Sequence, residues 1–264
     1  MKTYILNLAS AHERRKFQMA QAERLGLEAT FIDAHTPADI SESYMMSHAF
    51  SWERAIKITE VACFLSHYAA WEKVAASEEP ALILEDDAIL ARETPALLSW
   101  LFSLNEVDHV SLETRQRKKL IGHASFTNSD IQISLHPLFQ DRTGAAAYVL
   151  WPRAARVLIE KFAKQGMGLA DAFICSTYQL KSFQTVPAVA VQADMSIAYG
   201  LPCPIDSSSL IAREKVPSPP TKGLGKDVQL KCRRIMSQLR IAARFISCFG
   251  RARRVHVDID IRAF

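Results

Sequence analysis

Apolar positions in the first third of the chain come in short runs separated by helical stretches. Residues 3–8 are rich in Ile and Leu and alternate weakly, which predicts a strand. Residues 10–26 read as a helix. Ser10 with Glu13 is a capping-box pattern, Phe17, Ala20, Ala22 and Leu25 give apolar positions, and Gly26 ends it. Thr30-Phe31-Ile32 predicts a second strand that stops at Asp33-Ala34. Residues 59–76 predict a helix with Ala62, Leu65, Ala69 and Val74 turned inward. Ala81-Leu82-Ile83-Leu84 is apolar without alternation, as in a strand buried on both faces. Further on, 94–104 predicts a helix, and 109–112, 131–135 and 145–150 predict strands. Pro152 then opens a helix to about residue 165, at a position that tolerates proline.

Strand–helix–strand alternation through residues 3–84 predicts an α/β fold, with a mixed, mostly parallel sheet flanked by helices. Such sheets bind ligands beyond the carboxyl ends of their strands. Asp33 and Glu85-Asp86-Asp87 fall at two such ends. Residues 202–225 are rich in Pro, Ser and Gly and read as a linker between a body, 1–201, and a C-terminal region, 226–264. Within that region Val228, Ile235, Leu239, Ala242, Ile246 and Phe249 form one stripe at about 100° per residue, with Lys226, Arg233, Arg240 and Arg244 opposite.

The 264 residues are 49% hydrophobic, enough for one globular domain with at most a small appendage. The five cysteines are scattered and odd in number, without CxxC spacing. That argues against a disulfide framework or zinc site and for a reducing compartment. The N-terminus turns polar too soon for a signal peptide, and no apolar run approaches the roughly 18 residues of a membrane span. These features predict a cytoplasmic protein. The net charge of +4 divides unevenly: Arg213 to Arg254 carries twelve Lys/Arg against two Asp/Glu, leaving 20 against 26 elsewhere. A basic tail on an acidic body seeks an anionic partner.

Three clusters carry candidate chemistry. Three adjacent carboxylates, Glu85, Asp86 and Asp87, repel one another unless a cation compensates. A hard ion such as Mg²⁺ or Mn²⁺ binds through one or two carboxylates plus substrate phosphates. The competing reading is an acidic loop capping the next helix. Asn7 and Leu8 end the first strand, and Arg14 and Arg15 follow in the first helix, where a guanidinium can pair with phosphate or simply face water. Ser66 and His67 are polar groups within an apolar helix and require partners there, from a ligand or from neighbouring backbone. No Ser or Cys signature accompanies His67 as a base.

Three segments together carry a resemblance: YILNLASAHERR with LGLEATFIDA, then EVACFLSHYAAWEKV, then ALILEDDAIL. GAAAYVLWPRAARVLI, the Asp171 region and VPAVAVQADMSIAYG echo it more weakly, over residues 3–199 in all. The sequence resembles glycosyltransferase family 25, bacterial lipopolysaccharide and lipooligosaccharide glycosyltransferases. The resemblance implies a GT-A-like Rossmann-type fold, a nucleotide-sugar donor such as UDP-galactose or UDP-glucose, and a saccharide acceptor on lipopolysaccharide or another lipid. It implies inversion and a metal at Glu85 and Asp87. Asp33 and Ala34 are expected to border the nucleotide. An inverting transfer requires a carboxylate base away from the metal. Asp171, at an expected helix start after glycines, is the first candidate, its competing reading being an ordinary N-cap. Glu113 and Asp141 are reserves, and Gln192 has no assigned role. Thr59 stands where the family usually has glycine, and the basic tail has no family counterpart.

Two readings of the tail compete: docking on an anionic leaflet, at the cytoplasmic face of the inner membrane, or packing on the body with the stripe buried. A different class of function, a nucleic-acid-binding or scaffold protein on a degenerate transferase fold, predicts aromatic residues among the arginines. Phe245 and Phe249 go with the apolar residues instead, so no nucleic acid is expected.

Overall fold

The computed structural model describes residues 1–141, 144–205 and 224–264; most of the predicted linker and the side chain of Lys226 lie outside them. Strand β1 (Lys2–Asn7) lies between β2 (Ala29–Asp33) and β3 (Ala81–Glu85), parallel to both. Its residues alternate between two cores, as a pleated strand requires. Tyr4 and Leu6 enter the core under α3 (Ile58–Ala75), α5 (Pro152–Gln165) and α6 (Ala170–Cys175). Ile5 enters the opposite core, with the end of α1 (His12–Leu25) and α4 (Thr94–Phe102). Leu82, Ile83 and Leu84 of β3 are all buried, as the unbroken apolar run predicts.

Among the described residues the main sheet has ten strands. From β2, β1 and β3 it continues through β9 (Ala147–Leu150), β5 (His109–Ser111), β10 (Ser182–Val186), β8 (Ile133–Gln140), β6 (Lys119–Gly122) and β12 (Ala252–Val255). Strand β7 (Phe126–Asn128) pairs with β8. Parallel pairing joins β2, β1 and β3, where strand and helix alternate in sequence, and again β5 and β10. The other ladders of this sheet are antiparallel. A separate antiparallel pair, β4 (Ala88–Leu90) with β11 (Ala190–Gln192), follows the acidic cluster directly. Glu85 therefore ends a strand and Asp86-Asp87 form the turn into β4; the cluster caps no helix.

Several local expectations are corrected. Helix α1 begins at His12 after Ala11, with no side-chain cap, and Glu13 pairs with Lys16 at 2.8 Å, so no box forms at Ser10. Its buried face is Gln18, Gln21, Ala22 and Leu25, while Ala20 is exposed. The glutamines face inward because α1 covers the β4 backbone. Gln18 and Gln21 donate to the Ala88 carbonyl at 2.8 and 2.9 Å, and Gln21 Oε1 accepts from Leu90 N at 2.8 Å. Gly26, at φ +62°, closes the helix in the left-handed conformation as predicted. In α3, Leu65 and Ala69 are only partly buried. Strand β8 starts later and runs longer than predicted, and β4, β6, β7, β10, β11 and β12 were not predicted.

The largest surprise is α7 (Leu224–Ser247). The predicted stripe exists but points outward: Ile235, Leu239, Ile246 and Phe249 are exposed, the last two by 72% and 82%. The opposite face packs on the body. Arg233 donates to the Phe50 carbonyl, Ser237 to the Glu53 carboxylate, and Arg244 to the Phe139 carbonyl at 3.3 Å while lying over the Phe139 and Tyr178 rings. A rim of carbonyl oxygens, a carboxylate and aromatic faces suits guanidinium groups better than methyl groups. The reading in which the stripe is buried in the core is overturned. Beyond α7 the chain returns to the body: β12 pairs with β6, Thr114 Oγ1 donates to the Val257 carbonyl at 2.7 Å, and Arg92 N donates to that of Ala263 at 2.8 Å.

Candidate active site

The parallel register sets Asn7 beside Asp33 and Leu6 beside Glu85, so the three strands end together. Helix α3 brings Ser66 and His67 to that edge. Ser66 accepts from His35 N at 2.9 Å and donates to the Ala62 carbonyl at 2.8 Å. It pins the loop after β2, and Ala34 N is fixed on the Asn7 carbonyl at 2.9 Å. Asp33 is exposed at the strand end, and Leu8 contributes a carbonyl to the turn into α1.

The three acidic residues have different surroundings. Asp86 is buried; it accepts from Asn7 Nδ2 at 2.8 Å and from Arg14 at 2.9 Å. Arg14 is thereby paired with a carboxylate, and Arg15 lies over the Phe31 ring at 4.1 Å. Asn7 Oδ1 stays buried without a hydrogen-bond partner among the described residues. Glu85 is held at both oxygens: His67 Nε2 lies 3.2 Å from Oε1, and Gln192 Nε2 donates to Oε2 at 3.1 Å. Burial opposes its ionisation, but the hydrogen bond and charge of His67, with Arg115 and Arg14, bring its carboxyl below the usual value. Asp87 has looser company, Gln192 at 3.5 Å and Arg14 at 3.7 Å. Burial, then the Glu85 charge, pushes its carboxyl up to about 7. Two partly buried carboxylates side by side, of which Asp87 is poorly compensated, are the oxygen donor set that a hard divalent cation fits.

His67 is wholly buried and orients Glu85. Its Nδ1 is 3.0 Å from the Tyr148 hydroxyl, whose oxygen also accepts from Trp71 Nε1 at 2.9 Å. Cys63, His67 and Glu85 place one ligand atom each within 4.8 Å of one another. Burial holds the Cys63 thiol well above its usual value, and His67 is bonded to Glu85 and Tyr148. All five cysteines are free.

Asp171, within reach of the Glu85 and His67 charges, stands in the first turn of α6, but Leu169 occupies the N-cap, so Asp171 is no cap. Its Oδ1 accepts from Ala172 N at 2.6 Å. Burial raises its carboxyl to about 6; the Ala172 N–H opposes this, and Glu85 and Asp141 add to it. That value lets it accept a proton at neutral pH. The reserves are differently placed. Asp141 forms a buried ion pair with Lys119 at 2.6 Å. Glu113 is buried, with Oε1 accepting from Ala146 N at 2.6 Å and its carboxyl pushed up to about 8, chiefly by burial.

Sequence reasoning missed the support of the site. Gln192 bridges Glu85 to Arg115, which pairs with Asp194 at 2.6 Å. Trp71 and Tyr148 stand behind His67. Nothing in their own segments marks them, because their partners are 77 to 107 residues away.

The sequence profile of glycosyltransferase family 25 (LPS biosynthesis protein) matches residues 1–174, a span that contains the acidic cluster, His67 and Asp171. The chain belongs to glycosyltransferase family 25. It is 27% identical over 172 residues to the lacto-N-neotetraose biosynthesis glycosyltransferase LgtE of Neisseria meningitidis, a match covering 62% of this chain and 61% of that one. It is 25% identical over 207 residues to the lipooligosaccharide biosynthesis protein lic2B of Haemophilus influenzae, covering 72% and 75%. The chain thus spans about 61% of the length of LgtE. Helix α7 and β12 lie outside the family match. Among the described residues, no helix is long and apolar enough to cross a membrane.

Proposed function

We propose that this family 25 protein transfers a hexose, galactose or glucose, from a UDP-sugar to a saccharide acceptor on a lipopolysaccharide core or similar lipid, with inversion. The observation that carries this is the pair of partly buried carboxylates, Glu85 and Asp87, with a separate carboxylate at Asp171, within reach of the Glu85 charge, whose proton affinity suits a base. Glu85 and Asp87 are the residues to hold Mg²⁺ or Mn²⁺. When bound, such an ion supplies positive charge for the diphosphate that departs. Asp171 takes the proton of the acceptor hydroxyl. The acceptor oxygen then bonds to the anomeric carbon, and the bonding pair of the old C–O bond leaves with the nucleoside diphosphate. His67 and Gln192 keep Glu85 in one orientation throughout, and Asn7, with the loop at Asp33 and Ala34, borders the nucleotide. The family match does not favour the nucleic-acid or scaffold reading.

The test is nucleotide release from UDP-galactose and UDP-glucose with Mn²⁺, Mg²⁺ or EDTA. Metal-dependent release from one donor is expected, and Asp171→Asn is expected to lower kcat roughly 10²- to 10⁴-fold with the donor KM unchanged. Release from neither donor overturns the transferase reading. An Asp171→Asn variant that retains more than a tenth of kcat removes Asp171 as the base.

The acceptor's lipid anchor gives the outward stripe of α7 a use: peripheral contact with an anionic leaflet. Exposed Ile235, Leu239, Ile246 and Phe249 are flanked by exposed Lys231, Arg234, Arg251, Arg253 and Arg254. Basic residues near such a surface contribute about 1 kcal/mol each. The protein is expected to sediment with phosphatidylglycerol-containing vesicles and not with pure phosphatidylcholine, and Ile235→Glu with Ile246→Glu to abolish the difference. Equal sedimentation of parent and variant removes the membrane contact.

A further inference from the structure

The inner face of α7 closes a cavity of about 300 Å³ against the body. Trp52, Glu53, Asp141 and Tyr178 line it from below, and Arg233 and Arg240 from α7. Its walls are built rather than accidental. A Cβ on Gly168 would lie 2.5 Å from the Trp52 ring, so the ring seats on a residue that must be glycine. Ser51 Oγ, next to Trp52, donates to the Met167 carbonyl at 2.9 Å. From the other side, α7 grips the same loop through Arg233 on Phe50 and Ser237 on Glu53. Trp52 is thus held between two segments far apart in sequence, 166–168 and α7.

The cavity adjoins the reaction centre. Ala172 and Asp141 are among its lining residues; the first follows Asp171 directly, and the charge of the second acts on Asp171. Its chemistry is that of saccharide recognition. Aromatic faces at Trp52 and Tyr178 suit the C–H faces of pyranose rings, and carboxylates and guanidinium groups around them suit hydroxyls, with both roles in reach of one ligand. The volume lies at the small end of ligand pockets, roughly 300–1,000 Å³, a size for one or two sugar rings. Arg240 makes no hydrogen bond or ion pair among the described residues, which leaves a guanidinium at the cavity for the ligand.

We infer that this cavity, roofed by α7, is the subsite for the acceptor saccharide, with the accepting hydroxyl directed at Asp171. The inference rests on the transferase reading above. It gives α7 two tasks: its outer stripe meets the lipid surface while its inner face closes over the sugar carried by that lipid. Because α7 lies beyond the family match, this roof belongs to the part of the chain that the match does not describe.

The test is steady-state kinetics with the UDP-sugar that is turned over, against a panel of p-nitrophenyl hexosides and deacylated lipooligosaccharide. The panel member with the highest kcat/KM serves as probe. Trp52→Ala and Tyr178→Ala are expected to raise the acceptor KM at least tenfold while the donor KM stays within twofold. Arg240→Ala, at an exposed position, is expected to raise it about threefold and guards against misfolding of the first two. Gly168→Ala, which displaces the Trp52 ring, is expected to reproduce Trp52→Ala. An acceptor KM within twofold of the parent in all four variants overturns the cavity assignment, as does a donor KM that rises in step. A parent that releases nucleotide from no UDP-sugar instead overturns the transferase reading, and this inference falls with it.

Discussion

The strand ends at Asn7, Asp33 and Glu85 and the outer helix α7 handle charge in opposite ways. At the strand ends, Asp86 is buried and Glu85 and Asp87 are half-buried beside an apolar sheet, and the three are only partly matched by Arg14, His67 and Gln192. On α7, the Arg233 and Arg244 guanidinium groups are turned inward onto carbonyls and rings, and apolar side chains are left in the open. The first arrangement is costly by itself and makes sense when a cation and phosphates arrive. The second satisfies Arg233, Ser237 and Arg244 within the protein and leaves its apolar side chains in the open. The two regions therefore have complementary deficits, one of positive charge and one of apolar cover.

The strongest way to break that contrast is to separate two neighbours in the acidic turn. Asp86 is held by Asn7 at 2.8 Å and Arg14 at 2.9 Å, whereas Asp87 has Arg14 only at 3.7 Å and Gln192 at 3.5 Å. Asp87→Asn is expected to lower metal-dependent nucleotide release about 10³-fold, on the scale of losing one electrostatic stabiliser, with little loss of Tm. Asp86→Asn removes the charge that Arg14 meets at 2.9 Å and is expected to lower Tm, with a smaller effect on turnover. Thermal unfolding alongside nucleotide release checks both. If Asp86→Asn is the more damaging to turnover and Asp87→Asn to Tm, the roles are reversed.

The same contrast explains what could be read before the structure. Residues 3–84 were legible because each local pattern agreed with its surroundings: Tyr4-Ile5-Leu6 and Leu82-Ile83-Leu84 are buried where their runs predict. The position of Glu85-Asp86-Asp87 followed from that strand. The division of labour among the three did not, since it depends on Arg14, His67 and Gln192 arriving from elsewhere. For α7, periodicity correctly grouped Ile235, Leu239 and Ile246 on one face. Which way the face points depends on the partner surface, and Phe50, Glu53 and Phe139 gave no local sign that they would offer oxygens to Arg233, Ser237 and Arg244. The later strands were missed because they are short, three to five residues for β6, β7, β10, β11 and β12, and lack alternation with helices.

A medium-sized effect tests the charge deficit in the sheet itself. Glu113 has its folded-state pKa raised from 4.5 to about 8, so the folded chain binds this proton more tightly than the unfolded one. Its contribution is most favourable below pH 4.5 and is lost as pH rises toward about 8. Glu113→Gln retains an acceptor for Ala146 N and removes the titration. Its Tm is expected to fall less than the parent's between about pH 5 and 8. The gap should widen with pH to several degrees, at roughly 2–4 °C per kcal/mol for a domain of this size. Asp87 and Asp171 are shifted in the same direction, so the variant should keep some slope. Parallel Tm curves for parent and variant would show that Glu113 ionises no differently in the folded chain.

The smallest effect decides the orientation of α7. Arg244 lies 5.2 Å from the Phe139 ring, 5.1 Å from the Tyr178 ring and 3.3 Å from the Phe139 carbonyl, whereas Ile246 is 72% exposed. If the helix packs by its basic face, Arg244→Ala loses ring and carbonyl contacts and is expected to destabilise by about 1 kcal/mol in denaturant unfolding. Ile246→Ala removes apolar surface already in water and should stay within about 0.5 kcal/mol of the parent. A helix packed by its stripe requires the reverse, because truncating a buried isoleucine costs about 2–5 kcal/mol. The sign of the difference between these two variants is therefore decisive even though neither effect is large. On anionic vesicles the ranking should invert: Ile246→Ala weakens sedimentation while Arg244→Ala leaves it near the parent's, since only the isoleucine faces the lipid.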